Sequence, residues 1–406
     1  MDRTPDGSRN NREAVANANA EALRRIIAVR PHWNGVVKVS DVAPQSGHCL
    51  FHAGPGYDDA KSIPMPVRNS LAFGCLYEGW ADSWEEAESM IASGEVAAKP
   101  AQEHDLLVPL AGIASPSMAS IQVSDPATGR SRHCILNEGA EIASRLGRRD
   151  DRLVTHHRWL NGDLAEWLSA CVADPLEIYP LMLESFEHGD DGHAHTGAGS
   201  RLVANALRRR AYDVPPQISE FLNSAAALAL NVWMATIALA SSAAEGVARS
   251  TLVTRAGGNG VNFGYMLAGE PGHWYRSSAA KPVGTVDPKH AGSLPTGALG
   301  DSAVLDFFGL GGLNLAKAPA LASALAAHLP ADALRRADNI LAGKHPGFGG
   351  RMVTCSADKA ASTGKGPIVL IGMIDARGEA GRLGGGVIDV PGNLFTKIEH
   401  VRLAKG

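Results

Sequence analysis

Hydrophobic positions alternate between helical and strand-like spacing through the first 150 residues. Helix formers fill residues 11–29 until Pro31 ends the pattern, and a second helix is predicted over residues 66–80. A third begins at Ser83, where Glu86 three residues later completes a capping box, and it ends near residues 93–94. Short apolar runs of strand length are found at residues 36–39, 49–52, 106–110, 120–123 and 133–136, and another helix is predicted from Glu138. This alternation favours an α/β layer architecture.

The middle of the chain, residues 151–250, is almost wholly helical by pattern. Within it, residues 221–244 carry no charged side chain, are rich in alanine and serine, and include Asn223 and Asn231. The segment also lacks a basic flank or an aromatic belt at its ends. This composition favours a helix buried on all sides within the protein over a membrane span.

The last third combines strand-like segments with glycine-rich turns. It contains β-rich segments at 250–267 and 272–275, alanine-rich helices at 313–328 and 331–342, a buried strand at 367–374, a glycine-rich turn at 381–386 and a short strand at 387–390. The chain is therefore predicted to be an α/β protein of four parts. These are an N-terminal tail and helix (1–30), an N-terminal α/β domain (31–150), a mostly helical domain around the buried apolar helix (151–250) and a C-terminal α/β domain (251–406).

The composition excludes several classes of partner. The chain has 406 residues, a formal charge of −4 and no basic block, so nucleic acid is not the expected partner. Its five cysteines are widely scattered and form no CxxC motif, which suits a reducing compartment better than a disulfide framework. Residues 1–12 are polar and lack the apolar core of an export signal. We therefore expect a cytoplasmic protein that is not bound to a membrane.

The densest group of proton-transfer and metal-binding side chains lies between two predicted helices. Residues 188–195 hold three histidines and two aspartates, and residues 185–200 contain no lysine or arginine. Asp190 and His193 share one face if the second half of this junction is helical. His193 is then the best general acid/base, with Asp190 orienting its ring or binding a cation. A solvated polar loop, or a metal site of Asp190, His193 and His195, remains open, although no standard zinc spacing is present.

Other candidate groups lie at turns and at the ends of predicted elements. His52 stands in a glycine turn, Asn137 and Glu138 follow a strand-like run, and Asp301 and Ser302 precede an apolar segment where they bind a ligand or cap a helix. The segments 115–117, 257–260 and 309–312 offer backbone N–H groups to an anion, or serve turns and tight packing instead. No P-loop, GxGxxG or GxSxG motif supports nucleotide binding or serine hydrolysis.

Eight segments together resemble one family. They are LFHAGP at 50–55, YEGWA at 77–81, AGIASPSM at 111–118, LNEG at 136–139, GDDGH at 189–193, NGVNFG at 259–264, GDSA at 300–303 and GLGG at 309–312. Their order and spacing, from about residue 33 to residue 395, resemble the AllG (YlbE-type) family, which includes a subunit of oxamate carbamoyltransferase. Each segment is weak by itself, whereas eight in order are specific.

The resemblance implies carbamoyl transfer between a carbamoylated nitrogen and phosphate. In the oxamate system, oxalurate and phosphate give oxamate and carbamoyl phosphate, and the activity requires partner subunits. We expect four catalytic residues, His193, Asp190, His104 and Glu138, and seven substrate-binding residues, His52, Ser115, Ser117, Asn137, Asn259, Asp301 and Ser302. His104 stands where the family has consecutive histidines.

Three departures from the family pattern set this chain apart. The family has Asn-Arg-Asn where this chain has residues 194–196, and arginine where it has Gly258. It also has consecutive histidines where this chain keeps only His104. The loss of two arginines weakens bidentate recognition of carboxylate or phosphate. We therefore expect a divergent member with a different carbamoyl acceptor, or one that has lost the parent activity.

Three hypotheses for the function follow. The first is a carbamoyltransferase-type enzyme or subunit that acts on a small amide or ureido molecule, with phosphate or carbamoyl phosphate as co-substrate. The second is a metal-dependent hydrolase or lyase of C–N bonds that uses the cluster at 188–195 and a divalent metal, the one cofactor that any of the hypotheses requires. The third is a non-catalytic scaffold subunit of a larger complex. We expect a homo-oligomer that also binds partner subunits.

Overall fold

The structure, a computed structural model, describes residues 5–398 and residue 401. The first four residues of the predicted polar tail lie outside this range. The α-helices are α1 (Pro5–Ala28), α2 (Val39–Val42), α3 (Met65–Glu78), α4 (Trp84–Ser93), α5 (Leu153–Trp159), α6 (Ala165–Cys171), α7 (Tyr179–Glu187), α8 (Gly197–Arg210), α9 (Pro216–Ser224), α10 (Leu228–Ser242), α11 (Ala303–Phe308), α12 (Pro319–Ala324), α13 (Arg336–Ile340) and α14 (Ala357–Thr363).

The strands form three sheets and two hairpins. They are β1 (His32–Lys38), β2 (Cys49–His52), β3 (Ala97–Pro100), β4 (Leu106–Leu107), β5 (Ile113–Ala114), β6 (Ala119–Ser124), β7 (Ser131–Ile135), β8 (Leu176–Glu177), β9 (Val253–Asn259), β10 (Asn262–Leu267), β11 (Glu270–Ser278), β12 (Leu299–Gly300), β13 (Leu341–His345), β14 (Arg351–Cys355), β15 (Lys365–Ile374) and β16 (Arg382–Pro391). The sheet orders are β4-β7-β6-β1-β8, β11-β10-β9-β12 and β3-β2-β5, and β13-β14 and β15-β16 pair as hairpins. The mixed α/β class is confirmed.

The helix predicted from the capping box at Ser83 is confirmed, although the Glu86 carboxylate bonds to the N–H of Asp82 and not to that of Ser83. The Ser83 hydroxyl accepts a hydrogen bond from the Glu86 backbone N–H at 3.2 Å, and the Glu86 carboxylate accepts one from the Asp82 N–H at 2.8 Å. Helix α4 ends at Gly94, whose left-handed backbone (φ 79°) suits glycine at a helix C-terminus. Local chemistry alone therefore sets both ends of this helix.

The uncharged segment 221–244 is a broken helix rather than the single helix predicted. Helix α9 ends at Ser224 and α10 begins at Leu228, with a bend of 73° between them. Nearly every residue of α10 is buried, as expected for a central helix. In the part of the chain that the structure describes, no single helix is long and apolar enough to span a membrane, although this bent pair meets that test together by length and composition.

Three further predictions of helix are wrong. Residues 313–328 form short 3₁₀ turns and α12, because only a few side chains, such as Leu315 and Leu321, have a core to pack against. Residues 331–342 yield only α13 before β13 begins. No helix starts at Glu138, whose carboxylate instead accepts hydrogen bonds from the Ser144 N–H and hydroxyl and holds an irregular loop. The glycines at 381–386 form no separate turn, since β16 is extended from Arg382 onward.

The largest buried cluster contains side chains from all four predicted parts, including Ala22 and Ile26 of the N-terminal helix. Trp33, Met182 and Phe308 all belong to it, together with most of α10. Two other clusters lie around the β2 sheet and around the β9–β10 strands. The proposed division at residues 31, 151 and 251 stays a prediction, and the shared core brings the predicted site segments close to one another.

One buried histidine leads to a prediction about acid stability. His345 is fully buried among the rings of Tyr179, Phe308 and Phe348, and both of its ring nitrogens lack a partner. Burial, assisted by the charge of Arg30, lowers its pKa from 6.5 to about 4. The unfolded chain therefore binds a proton between these pH values that the folded chain does not, and stability is lost as the pH falls below 6.5.

From pH 7 to pH 5, His345 should contribute a loss of about 2 kcal/mol in the free energy of unfolding. Urea unfolding at both pH values should show that His345→Phe removes about this much of the acid loss. His290→Phe, at a partly exposed histidine, is the control and should keep the acid loss that His345 causes. An equal acid loss in wild type and His345→Phe would contradict the buried neutral state.

Candidate active site

The two aspartates of the junction 188–195 hold backbone rather than a ligand. Asp190 accepts hydrogen bonds from the N–H groups of Ala198 and Gly199, at 3.2 and 2.8 Å, at the start of α8. Asp191, fully buried, accepts from the N–H groups of residues 193, 194 and 195. Burial raises the pKa of both carboxyls, although these N–H groups oppose the shift. Because Asp191 fixes a turn here, α8 begins only at Gly197.

His193 is oriented by Asp306, not by Asp190 as predicted. Its Nδ1 lies 2.7 Å from Asp306 Oδ2, and both side chains are buried. The other oxygen of Asp306 accepts hydrogen bonds from the N–H groups of Gly312 and Leu370, at 2.8 and 3.1 Å. Asp190 and His193 do not share a helical face, since residues 193–196 are not helical. The sequence therefore predicted the histidine and missed its partner.

The pair leaves one ring nitrogen of His193 open. Burial alone would lower the pKa of His193, but the charge of Asp306 and the hydrogen bond to it outweigh burial and raise that pKa. Within the described part of the chain Nε2 has no hydrogen-bond partner, yet it is not among the fully buried unpaired atoms, and the residue is 5% exposed. A carboxylate that fixes the ring at Nδ1 leaves Nε2 able to give or take a proton.

The predicted metal site of Asp190, His193 and His195 does not assemble. The oxygens of Asp190 face α8, Nδ1 of His193 faces Asp306, and His195 is exposed, as is His188. Over residues 5–398 and 401, no group of three or more His, Cys, Asp or Glu side chains is placed to hold a metal ion. The three side chains diverge because Asp190 bonds to the start of α8, His193 bonds to Asp306 and His195 is exposed.

A second carboxylate, Asp301, joins three segments that are far apart in the sequence. It is fully buried, and its oxygens accept hydrogen bonds from the Gly54 N–H, the Gln102 side-chain amide and the Val108 N–H, at 2.8, 2.6 and 2.9 Å. Burial raises its pKa from 3.8 to about 7, against the opposing effect of these donors. Ser302, predicted with Asp301 to cap α11 or bind a ligand, is buried and makes no side-chain capping bond.

The turn after β2 packs directly on β9. The side-chain amide of Asn259 donates to the Pro55 carbonyl at 2.6 Å, and the Tyr57 hydroxyl donates to the Asn259 carbonyl at 2.7 Å. A Cβ added to Gly54 would overlap the backbone of Gly258, and one added to Gly257 would meet the Asp301 carboxylate at 2.8 Å. The glycines at 257–258 thus allow close backbone approach and lie within a strand, not in an open anion cradle.

This close approach predicts a large effect for Gly54→Ala. Gly54 and Gly47 both have positive φ, 72° and 74°, but nothing lies within 4 Å of a Cβ at Gly47. Gly47→Ala should cost about 1 kcal/mol from backbone strain alone. Gly54→Ala should cost at least about 2 kcal/mol more, because the backbone of β9 must also move. Urea unfolding of the two variants measures the difference, and equal losses would contradict the tight packing.

His52 is buried in this same region. Its Nδ1 bonds to the Ala53 carbonyl at 2.8 Å, its ring packs against Tyr57, and its Nε2 has no partner. Burial lowers its pKa to about 4. His52 is therefore neutral near pH 7 and offers one unused ring nitrogen beneath the turn.

The remaining predicted residues are spread over separate places. Asn137 bonds to the Ala227 carbonyl and the Asn231 side chain, and so fixes α10 to the loop after β7. Glu138 pairs with His157 at 2.9 Å and bonds to Ser144, and these contacts lower its pKa to about 2 despite burial, which raises it.

The loop at residues 115–117 is held by one carboxylate. Ser115 and Ser117 both donate to Oε1 of Glu78, at 2.5 and 2.8 Å. His104 lies elsewhere, at the end of a 3₁₀ turn, with its ring 5.0 Å from that of Phe51. The structure therefore does not gather these residues around His193, and the hydrogen bonds of Ser115, Ser117, Asn137 and Glu138 order turns and loops instead.

Two residues of these networks were missed from the sequence. Asp306 is the one charged residue between 303 and 313, and an isolated carboxylate in an apolar run is a signal of a buried partner. Gln102 carries no comparable signal, because only the fold brings it 2.6 Å from Asp301.

The chain is similar to proteins from two bacteria. A family model described as oxamate carbamoyltransferase subunit AllG matches residues 96–302. The oxamate carbamoyltransferase subunit AllG of Escherichia coli is 29% identical over 75% of each chain, and the uncharacterized protein YahG of the same organism is 27% identical over 95% of this chain and 85% of its own. A crystal structure of a conserved protein of unknown function from Enterococcus faecalis V583 has a TM-score of 0.89 and 25% identity, covering 97% of this chain and 98% of that one.

Proposed function

Because the chain belongs to the family of the oxamate carbamoyltransferase subunit AllG, we propose that it is a carbamoyltransferase-type subunit for a small amide or ureido substrate. Phosphate or carbamoyl phosphate is its co-substrate, and partner subunits complete the enzyme. The observation that carries the proposal is the His193–Asp306 pair, a buried histidine with one oriented and one open nitrogen. It lies in the junction that carries the family segment GDDGH.

The chemistry assigned to His193 is proton transfer at the substrate nitrogen. When a phosphate oxygen attacks the carbamoyl carbon, the C–N bond breaks and the leaving nitrogen takes a proton. Protonated His193 gives that proton from Nε2, while Asp306 holds Nδ1 and stabilises the charged ring. In the reverse direction, neutral His193 takes the proton from the attacking nitrogen as carbamoyl phosphate releases phosphate. The raised pKa of His193 favours the protonated form that the first direction needs.

A second candidate, a scaffold subunit, is favoured by the use of the other carboxylates. Asp190, Asp191 and Asp301 all direct their oxygens to backbone N–H groups or to Gln102. Such residues order turns and strand packing whether or not the chain carries the chemistry. In this alternative a partner subunit supplies the reacting groups.

The experiment uses the tagged chain isolated from its source organism together with the subunits that remain bound to it. The preparation is incubated with ¹³C-labelled carbamoyl phosphate and oxamate or other small amides and amines, and NMR follows the new ureido carbon. We expect transfer that requires the chain and is unaffected by EDTA. No transfer to any acceptor would contradict the proposal. Activity that EDTA abolishes and a divalent metal restores would favour a metal-dependent enzyme instead.

A further inference from the structure

Two arginines on neighbouring sheets converge beside a small cavity. Arg132 of β7 and Arg255 of β9 have side chains that are only 12% and 15% exposed. Together with Gln102 and Thr254 they line a cavity about the size of a water molecule, between β4 and α10. Neither arginine belongs to the segments that carry the family resemblance. Buried guanidinium groups beside a cavity form a natural site for a planar anion.

Asp105 stands where such an anion would bind. Its Oδ1 lies 3.3 Å from Nη2 of Arg132 and 3.2 Å from Nη2 of Arg255, so one carboxylate oxygen contacts both arginines. Glu245 also faces both arginines: it contacts Arg255 twice, at 2.7 and 3.2 Å, and its Oε2 lies 3.7 Å from Nη2 of Arg132. The side chain of Asp105 is 48% exposed, unlike the arginines, and can leave toward solvent without crossing the core.

The backbone at Asp105 is also unusual. Its φ of 58° is in the left-handed region, one of four such non-glycine residues in the described part of the chain. Backbone strain of this kind tends to be kept at functional sites. Here it directs an acidic side chain back over the two arginines, at the end of a 3₁₀ turn that runs from Ala101 to His104.

A third residue that lines the cavity, Thr254, has a side chain without a hydrogen-bond partner. The hydroxyl of Thr254 is fully buried and forms no hydrogen bond, although Thr254 is only 1% exposed. A buried hydroxyl without a partner is costly unless something else bonds to it. The amide of Gln102, on the same wall, donates to Asp301 at 2.6 Å, and so links the cavity to the turn at Gly54.

We propose that Arg132, Arg255 and Thr254 bind a small oxyanion, a carboxylate or a phosphate, in the place that the Asp105 carboxylate occupies. Asp105 acts as an internal competitor that occupies the anion position, beside the arginines that Glu245 also pairs with, until the ligand displaces it. The family pattern has its two arginines within residues 194–196 and at position 258. Arg132 and Arg255 are at other positions, so they supply anion recognition by another route. The link of this anion to carbamoyl transfer rests on the proposed function, whereas the binding itself does not.

The test measures binding of inorganic phosphate and of oxamate by calorimetry, at constant ionic strength in chloride. Asp105→Asn removes the competing charge but keeps a residue that tolerates positive φ, and it should tighten binding of one anion by about 10-fold. Thr254→Val should weaken binding about fivefold without lowering the melting temperature, since it removes a hydroxyl that has no partner in the free protein. The control is Asp150→Asn, at a carboxylate that pairs with Arg152 and does not line the cavity, and it should change neither affinity.

Each outcome decides the proposal. Tightening for phosphate alone identifies the co-substrate subsite, and tightening for oxamate alone identifies a carboxylate subsite. The site is overturned if folded Asp105→Asn binds neither anion, or if Thr254→Val leaves the affinity unchanged. Carbamoyl transfer that persists without anion binding here would overturn this site alone. Binding in a preparation with no transfer would count against the proposed function and leave the site standing.

Discussion

Replacing Asp301 by alanine is expected to lower the free energy of unfolding by about 4 kcal/mol. The change leaves the Gly54 N–H, the Val108 N–H and the Gln102 amide without their acceptor. Each unsatisfied buried donor costs about 1–3 kcal/mol, and some of this is recovered if water enters the space. Because these donors come from three segments, the turn after β2, the 3₁₀ turn at residues 101–104 and the segment directly after β4 should all loosen together.

Urea unfolding measures this effect, with Asp287→Ala as the control. Asp287 is an exposed carboxylate that accepts from one N–H at a 3₁₀ turn, and its loss should cost less than about 1 kcal/mol.

The sign of the pH dependence also follows from Asp301. Folding raises the pKa of this carboxyl from 3.8 to about 7, so the folded protein binds a proton more tightly than the unfolded chain does. The carboxyl therefore stabilises the folded protein less as the pH rises through 7.

The loss in the free energy of unfolding that Asp301→Ala causes should therefore be larger at pH 6 than at pH 8, by about 1 kcal/mol. A penalty no larger than that of Asp287→Ala would contradict the role of Asp301 in joining these segments. An equal penalty at both pH values would contradict the raised pKa.

The largest expected effect on activity comes from His193→Gln. Glutamine keeps an N–H that can donate to Asp306, but it cannot exchange a proton near pH 7. Carbamoyl transfer by the assembled enzyme should fall by about 10²- to 10⁴-fold, the usual contribution of a general acid/base. The folded structure should be retained, because the glutamine side chain can still donate a hydrogen bond to Asp306.

The matched control is His188→Gln, in the same junction. His188 is exposed, so its replacement should leave the rate within about twofold of wild type. The rates are followed with labelled carbamoyl phosphate, and the melting temperature of each variant verifies folding. Unchanged turnover in well-folded His193→Gln would contradict the assignment of His193 and favour the scaffold alternative.

Local signals in the sequence predicted the early elements well. The capping box at Ser83 and the apolar run at residues 49–52 depend on neighbours in the chain, and the structure places α4 and β2 there. The alanine-rich segment 313–328 failed for the opposite reason. Alanine has high helix propensity, but a helix of this length needs an apolar face to bury, and here only a few side chains meet β15.

The site could be predicted only in part because its contacts are long-range. The density of histidine and aspartate at 188–195 made His193 a candidate, yet its partner Asp306 lies 113 residues away. Asp301 was a candidate for a ligand site or a helix cap, but its partners at Gly54 and Gln102 are set by how β9 meets the turn after β2. No periodicity or spacing in one chain encodes such pairings, and only the folded topology supplies them.

The central claim is that His193 transfers the proton of a carbamoyl-transfer reaction. Measuring the protonation state of this histidine tests that claim most directly. NMR of the ¹⁵N-histidine-labelled chain, with His193→Gln used for assignment, follows both ring nitrogens through a pH titration. We predict that Nδ1 keeps its proton bonded to Asp306, that Nε2 titrates with a midpoint above the ordinary 6.5, and that carbamoyl phosphate shifts the Nε2 signal. A midpoint below 6.5, or an Nε2 signal unchanged by saturating carbamoyl phosphate in the assembled enzyme, would contradict the account.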